Sequence, residues 1–238
     1  MEASTASTHV DLIEGIPDLD TLIKAFNTPS LTHFALITTT YGRMRDHHIG
    51  SSLIECLRQS RCNLRTLRIS APNIPLSSNS QWISDLIDFT PELRTLHLEF
   101  CAPKESEATA GVSVMLNSVV YWLCSSPAPT LPSLSTLTVR TYKFPTDKSS
   151  SSVARDMATA LLHMVESRAD SNTSLRHAEL VISHSFFRDH RPGARAVGNI
   201  EDVEELEAFK VDVARRRELL LVKYGVTFDL DISWYSLK

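Results

Sequence analysis

One pattern of apolar positions recurs six times along the chain: a leucine, two variable residues, an apolar residue, one variable residue and an aliphatic residue. The recurrences lie at residues 31–36, 64–69, 93–98, 134–139, 175–180 and, less regularly, 226–230. In a strand, successive side chains alternate between faces, so Leu67 and Ile69 point to one face and Arg68 to the other. One such unit cannot bury its own apolar face. A segment repeated every ~30 to 50 residues is therefore typical of stacked-repeat proteins, which share one continuous core.

The segments between these predicted strands have the periodicity of helices, with apolar residues at three- and four-residue intervals. The predicted helical positions are Leu19, Leu22, Ile23 and Phe26; Ile49, Leu53 and Leu57; Trp82, Ile83, Leu86 and Ile87; Val112, Leu116, Val119, Val120 and Leu123; Val153, Met157, Leu161, Met164 and Val165; and Val203, Leu206, Phe209, Val213 and Leu220. Alternation of helix and strand with short right-handed crossovers makes the strands parallel. The sequence therefore predicts an α/β solenoid, with strands on its concave face and helices outside, formed by residues 1–238 as a single domain.

Composition and charge argue against a nucleic-acid-binding, membrane-spanning or secreted protein. The 238 residues are 42% hydrophobic and 22% charged, as in ordinary globular proteins, and the formal net charge of −4 offers no field for nucleic acid or an anionic membrane. No apolar run is long enough for a membrane span, and the amino terminus lacks the features of a signal peptide. The four cysteines, Cys56, Cys62, Cys101 and Cys124, are far apart and are predicted to be reduced core residues. We expect an intracellular protein, cytoplasmic or nuclear.

Several segments resemble the repeats of the F-box and leucine-rich-repeat proteins of mushroom-forming fungi. Residues 53–69 are similar to the family's helix ending in Leu-Arg-x-Ser-x-Cys and its following Leu-x-x-Leu-x-Leu strand. The other similar segments are residues 87–98, residues 131–137, the His-Met-Val-Glu-Ser-Arg helix at 163–168, and the closing helix, glycine and strand at 215–233. The resemblance covers nearly the whole chain and implies a leucine-rich-repeat-like solenoid.

The resemblance also implies a function. Family members recruit target proteins to a ubiquitin ligase, so this chain is expected to be a non-catalytic module that recognises an unidentified protein target. A freestanding repeat scaffold unrelated to ubiquitin is the alternative. The family's F-box, which docks a Skp-type adaptor, opens with Leu-Pro-x-Glu, whereas this sequence has only Gly15-Ile-Pro-Asp-Leu19. We therefore expect no useful affinity for a Skp-type adaptor.

The sequence contains few combinations of residues that could form a catalytic, cofactor or metal site. The seven glycines are scattered singly, so no phosphate-binding loop is predicted, and no cofactor is expected. Asp46, His47 and His48 are interpreted as a polar loop rather than a metal site, because no other ligand lies at suitable spacing. Ser183-His184, with Asp189-His190 nearby, lacks the strained turn of a nucleophile. Asp229 and Asp231 are interpreted as a solvated strand face rather than a paired-carboxylate site. The protein is not expected to be an enzyme.

Partner binding is predicted on the strand positions that point away from the core. Six charged side chains from five different strands are expected to line this concave face: Arg68, His97, Glu99, Arg140, Glu179 and Asp229. Along the array the face changes from basic and neutral to acidic, which would orient a partner.

A second candidate site is the long segment at residues 184–199, which interrupts the repeat spacing. It is either an insertion without fixed structure or a lid that completes the binding face. Its aromatic and arginine side chains, Phe186, Phe187, Arg188 and Arg191, belong to the residue types that dominate protein interfaces.

Overall fold

A computed structural model describes residues 8–13, 30–37, 46–75, 81–101, 131–144, 150–171, 173–185 and 200–235. The strands are β1 (Thr8–Ile13), β2 (Leu31–Ile37), β3 (Thr66–Pro75), β4 (Thr95–Cys101), β5 (Thr136–Phe144), β6 (His177–Ser185) and β7 (Thr227–Tyr235). The helices are α1 (Asp46–Ser60), α2 (Gln81–Asp88), α3 (Ser150–Asp170) and α4 (Ile200–Tyr224).

The strands form one sheet whose order follows the sequence, from β1 to β7. Every neighbouring pair is parallel. This confirms the predicted α/β class and the parallel strands. Each strand pairs with its neighbours in sequence, so the next strand is always added on the same side of the sheet.

The first strand, β1, was not predicted. Val10 pairs with Phe34 and Leu12 with Leu36, so β1 carries the two apolar strand positions of the repeat. At the slot of the first leucine, three residues before Val10, the sequence has Ser7. A search for the full pattern therefore missed this strand, although its alternation of apolar and polar residues is the ordinary strand signal.

The pairing register follows the repeated pattern residue by residue. The middle apolar positions form one column across β2 to β7, which consists of Phe34, Leu67, Leu96, Leu137, Ala178 and Phe228. The last apolar positions form the neighbouring column, Leu36, Ile69, Leu98, Val139, Leu180 and Leu230. All of these side chains are buried except Leu230, which is partly buried against the core.

The leucine that opens the pattern lies just before the strand in most repeats and is also buried. Leu64, Leu93, Leu134 and Leu175 are all at most 1% exposed. Together with the two columns and the apolar residues of the helices, they form one continuous core. The leucine therefore anchors the bend by which the chain enters the sheet.

Four predicted helices agree with the structure, and two lie outside the described residues. The stripes at residues 49–57, 82–87, 153–165 and 203–220 fall on α1, α2, α3 and α4. The predicted helices at residues 19–26 and 112–123 belong to the segments that the structure does not describe. The interpretation of Asp46, His47 and His48 as a loop was wrong, because α1 begins at Asp46. An acidic residue in the first turn of a helix is favoured by the helix dipole.

Two of the cysteines contribute to the core as free thiols. Cys56 is buried and Cys62 is partly buried, and neither forms a disulfide. Burial raises the pKa of both thiols above the ordinary value. A raised pKa lowers the fraction of thiolate, which is the reactive form. None of the helices in the described ranges has the length and apolarity needed to cross a membrane.

A buried arginine connects α3 to the turn that precedes β5. Arg168 is only 3% exposed, and its Nη2 donates a 2.6 Å hydrogen bond to the carbonyl oxygen of Leu131. Leu131 has a positive φ of 54°, a conformation that costs energy for a residue with a side chain. The hydroxyl of Thr173 donates to the carbonyl of Arg168 at 2.9 Å, which ties the end of the helix to the next segment.

An ion pair connects the last two helices. Arg216 of α4 donates from Nη2 and Nε to the two carboxylate oxygens of Glu166 on α3, at 2.6 Å and 2.8 Å. The hydrogen bonds to Glu166 raise the pKa of the Arg216 guanidinium. Both side chains are partly buried, and this bidentate pair links α4 to α3.

Gly225 ends α4 in a left-handed conformation with φ of 65°. Its amide donates to the carbonyl of Leu221 at 3.0 Å, and that of Val226 donates to the carbonyl of Leu220 at 3.3 Å. These bonds satisfy carbonyls at the helix end and turn the chain into β7.

Replacing Gly225 by alanine is expected to destabilise the fold by about 1 kcal/mol. An added Cβ would meet no atom within 4 Å, so the cost comes from the backbone conformation alone. Urea unfolding of Gly225→Ala measures the change, and Gly225→Asn serves as the control, since asparagine tolerates this conformation better. An alanine variant as stable as the natural chain would contradict the assignment.

Candidate functional site

Three rows of side chains cross the sheet on the face opposite the two core columns. Each row takes one position from every strand between β2 and β7, in the hydrogen-bonding register of the sheet. The rows are His33, Thr66, Thr95, Thr136, His177 and Thr227; Ala35, Arg68, His97, Thr138, Glu179 and Asp229; and Ile37, Ser70, Glu99, Arg140, Val181 and Asp231. We call this surface the polar face. It brings together Arg68, His97, Glu99, Arg140, Glu179 and Asp229, the six residues predicted to lie on one surface.

Arg140 and Glu179 form an ion pair near the middle of the polar face. They lie on the neighbouring strands β5 and β6, one row apart. The Nη2 atom of Arg140 donates to both carboxylate oxygens of Glu179, at 3.0 Å and 3.2 Å. The two side chains are 35% and 23% exposed, so a partner could still reach the pair. The pair holds its charges at fixed positions.

Glu99 is the most deeply buried charged residue of the polar face, at 9% exposure. One carboxylate oxygen lies 3.2 Å from Nε2 of His97 on the same strand and 4.0 Å from Nη2 of Arg68 on β3. Arg68 remains largely exposed. Glu99 therefore positions two side chains of the adjacent row, rather than presenting a free carboxylate.

Asp229 lies on the edge strand β7 and interacts with two basic residues. Nη2 of Arg217, on α4, donates to its Oδ1 at 2.7 Å, and Nδ1 of His177 lies 3.9 Å from Oδ2. The same ring nitrogen lies 2.9 Å from the hydroxyl of Thr227. The sequence did not predict the part played by Arg217, because it belongs to a helix. Arg217 offsets part of the acidic charge predicted at this end of the face.

Hydroxyl groups fill much of the space between the charged residues. Thr66, Thr95 and Thr136 occupy neighbouring positions of the first row, and Ser70 and Thr138 are buried in the other two. The result is a surface of hydroxyls and paired charges. Hydrogen bonding to extended polar chains is the chemistry that this arrangement suits.

The remaining candidates are four residues of the predicted loop and the serine-histidine pair of β6. Phe186, Phe187, Arg188 and Arg191 lie outside the described residues, so the predicted binding loop stays a prediction. Ser183 and His184 are consecutive residues of β6, and Ser183 is buried. In the part of the chain with described side chains, no three histidine, cysteine or carboxylate residues are grouped as metal ligands would be.

No protein-family model matches the chain, and no curated protein or solved structure gives a match either.

Proposed function

We propose that this chain is a non-catalytic protein-interaction module, built as a leucine-rich-repeat-like solenoid whose polar face is concave and holds a target protein. The observation that carries the proposal is the register of the three rows, which places one residue of every repeat on the same surface across six strands. Repeat proteins use such extended surfaces for binding.

The electrostatics of the polar face support binding rather than reaction chemistry. The acidic groups Glu99, Glu179 and Asp229 each lie within 4.0 Å of a basic side chain. A fixed pattern of paired charges gives a surface specificity for a complementary partner. The partly exposed hydroxyls of Thr66, Thr95 and Thr136 supply further hydrogen bonds to a bound chain.

The resemblance of the repeats to fungal F-box and leucine-rich-repeat proteins favours one form of this function, target recognition for a ubiquitin ligase. A freestanding scaffold is the alternative form. Affinity purification of the chain from its native cells separates the two. Recovery of a Skp-type adaptor and a cullin together with the target supports the ligase receptor, whereas recovery of the target without them supports the scaffold.

Exchanging the charges of the central ion pair, with Arg140→Glu and Glu179→Arg together, is expected to weaken target capture by about tenfold or more. The exchange keeps the net charge, and an ion pair can still form between the two positions with the acidic and basic residues swapped. The fold should therefore keep its stability to within about 0.5 kcal/mol, as for other surface substitutions. Quantitative pulldown of the target and thermal unfolding measure the two effects.

A matched control exists on α4, where Lys210 and Glu207 form an exposed ion pair at 2.7 Å. Exchanging these charges alters a helix surface in the same way and should leave target capture unchanged. Glu166 is not a suitable control, since its pairing with Arg216 holds two helices together. If the Lys210 and Glu207 exchange releases the target and the exchange on the sheet does not, the polar face is not the binding site.

A further inference from the structure

Three arginines occupy the same slot of three different repeats, directly after the opening leucine. Arg65, Arg94 and Arg176 precede β3, β4 and β6, and all three are exposed. We call them the arginine rim. The corresponding residue before β5 is Ser135.

Backbone hydrogen bonds place the residues of the arginine rim side by side along the edge of the sheet where these strands begin. The amide of Arg94 donates to the carbonyl of Arg65 at 2.8 Å, that of Ser135 to Arg94 at 2.8 Å, and that of Arg176 to Ser135 at 2.9 Å. Neighbouring strands lie about 4.8 Å apart, so the row is roughly 14 Å long.

The positive charge of the rim is not neutralised within the described part of the chain. Arg65 and Arg94 form no ion pair with any described residue, and the guanidinium of Arg176 donates one described hydrogen bond, from Nη1 to the carbonyl of Leu175 at 3.3 Å. Glu92, the carboxylate nearest in sequence to Arg94, forms no ion pair with the described residues either. On the polar face itself, by contrast, Arg140 is paired with Glu179.

From this row we infer that the rim binds an acidic peptide segment of the target protein. The carboxylates of its Asp or Glu side chains would pair with the guanidinium groups of the rim. The guanidinium group matches a carboxylate with two parallel hydrogen bonds. An extended peptide advances about 3.3 Å per residue, so four or five residues span the row, and alternate side chains face it. The formal net charge of −4 disfavours the phosphate backbone of nucleic acid as the partner.

This inference builds on the proposed function, because the rim borders the polar face and would take one segment of the same target. It adds the chemistry of that segment. It also predicts that binding weakens as salt rises, since exposed charges are screened over about 10 Å at 0.1 M ionic strength.

The test uses a short fluorescent peptide of alternating serine and glutamate, with fluorescence anisotropy at low ionic strength. Arg65→Gln combined with Arg94→Gln is expected to weaken binding by about tenfold or more. The control combines Lys210→Gln with Arg215→Gln, which removes the same charge from the exposed surface of α4 and should change binding by less than about twofold. Adding Arg176→Gln to the rim variant should weaken binding further.

Several outcomes would overturn the inference. Equal loss in the rim and control variants would mean that the peptide responds only to overall charge. A peptide of alternating serine and glutamine that binds as tightly as the serine and glutamate peptide would exclude recognition of carboxylates. If a single-stranded oligonucleotide binds more tightly than the acidic peptide, and the rim variant loses this binding, the rim is a site for nucleic acid.

The inference and the proposed function can fail separately. If the acidic peptide does not bind but the charge exchange at Arg140 and Glu179 still releases the target, the rim assignment fails and the interaction face stands. If the peptide binds the rim but the exchange leaves target capture intact, the rim stands and the proposed role of the polar face fails.

Discussion

Truncating Leu96 to alanine is expected to lower the free energy of unfolding by about 2–5 kcal/mol, the usual cost of removing a large aliphatic side chain from a packed core. Leu96 is fully buried in the middle strand of the sheet, between Leu67 and Leu137 of the same column. Its loss leaves a cavity that both neighbouring repeats line, so their packing should loosen as well. Equilibrium unfolding in urea measures the change.

The control for this truncation is Leu219→Ala on α4, where the leucine is 58% exposed. The same atoms are removed there from a surface position, and the cost should stay within about 0.5 kcal/mol. A Leu96→Ala variant that loses no more stability than the control would contradict the register on which the polar face also depends.

Replacing Arg168 by alanine is expected to cost about 2–4 kcal/mol. The substitution removes the donor from the carbonyl of Leu131, which then lies buried without that hydrogen bond, and it leaves a space where the arginine stem packed. The positive φ of Leu131 would lose the contact that holds it. Urea unfolding measures the global effect.

A local measurement distinguishes this mechanism from a general loss of packing. The amide of Leu134 donates to the carbonyl of Leu131 at 3.0 Å, so its hydrogen exchange reports on the turn before β5. Exchange at Leu134 should accelerate more in Arg168→Ala than in Leu96→Ala. Arg215→Ala, on the exposed surface of α4, is the matched control and should change neither quantity. Unchanged exchange at Leu134 would show that Arg168 does not hold the turn.

The repeated pattern predicted the architecture of the sheet because it encodes strand and register together. Once Leu67 and Leu96 are recognised as equivalent, the positions of Arg68 and His97 on the opposite face follow from alternation alone. The same reasoning does not identify a strand when one position of the pattern holds a different type of residue. Strand β1 does not match the repeated pattern, because Ser7 stands at the slot of the opening leucine.

One member of the column that contains Leu96 is an alanine, which is hard to recognise as a core position from the sequence. The residue of β6 in that column is Ala178, whereas the larger Leu180 belongs to the neighbouring column with Val139. From the sequence we expect Leu180 to stack in one column with Leu67, Leu96 and Leu137. This prediction is wrong, because Leu137 pairs with Ala178.

Much of the candidate site could be located from the sequence, but its interactions could not. The pattern places Arg140 and Glu179 on one face, yet the bond between them depends on which strands are neighbours. Arg217 and Arg168 act from helices on partners distant in sequence, Asp229 and Leu131. Periodicity identifies the face on which a residue lies, but it contains no information about the rotamer or about contacts between elements.

The order of the strands has a consequence for how the chain folds. Among the described strands, each hydrogen-bonds only to the strands before and after it in sequence, so none of these pairings requires distant parts of the chain to meet first. Loop closure between neighbouring repeats is the main entropic barrier, and the sheet can grow one strand at a time. Interior strands have two neighbours whereas β1 and β7 each have one, so opening of the native state should begin at the ends and reach β4 last.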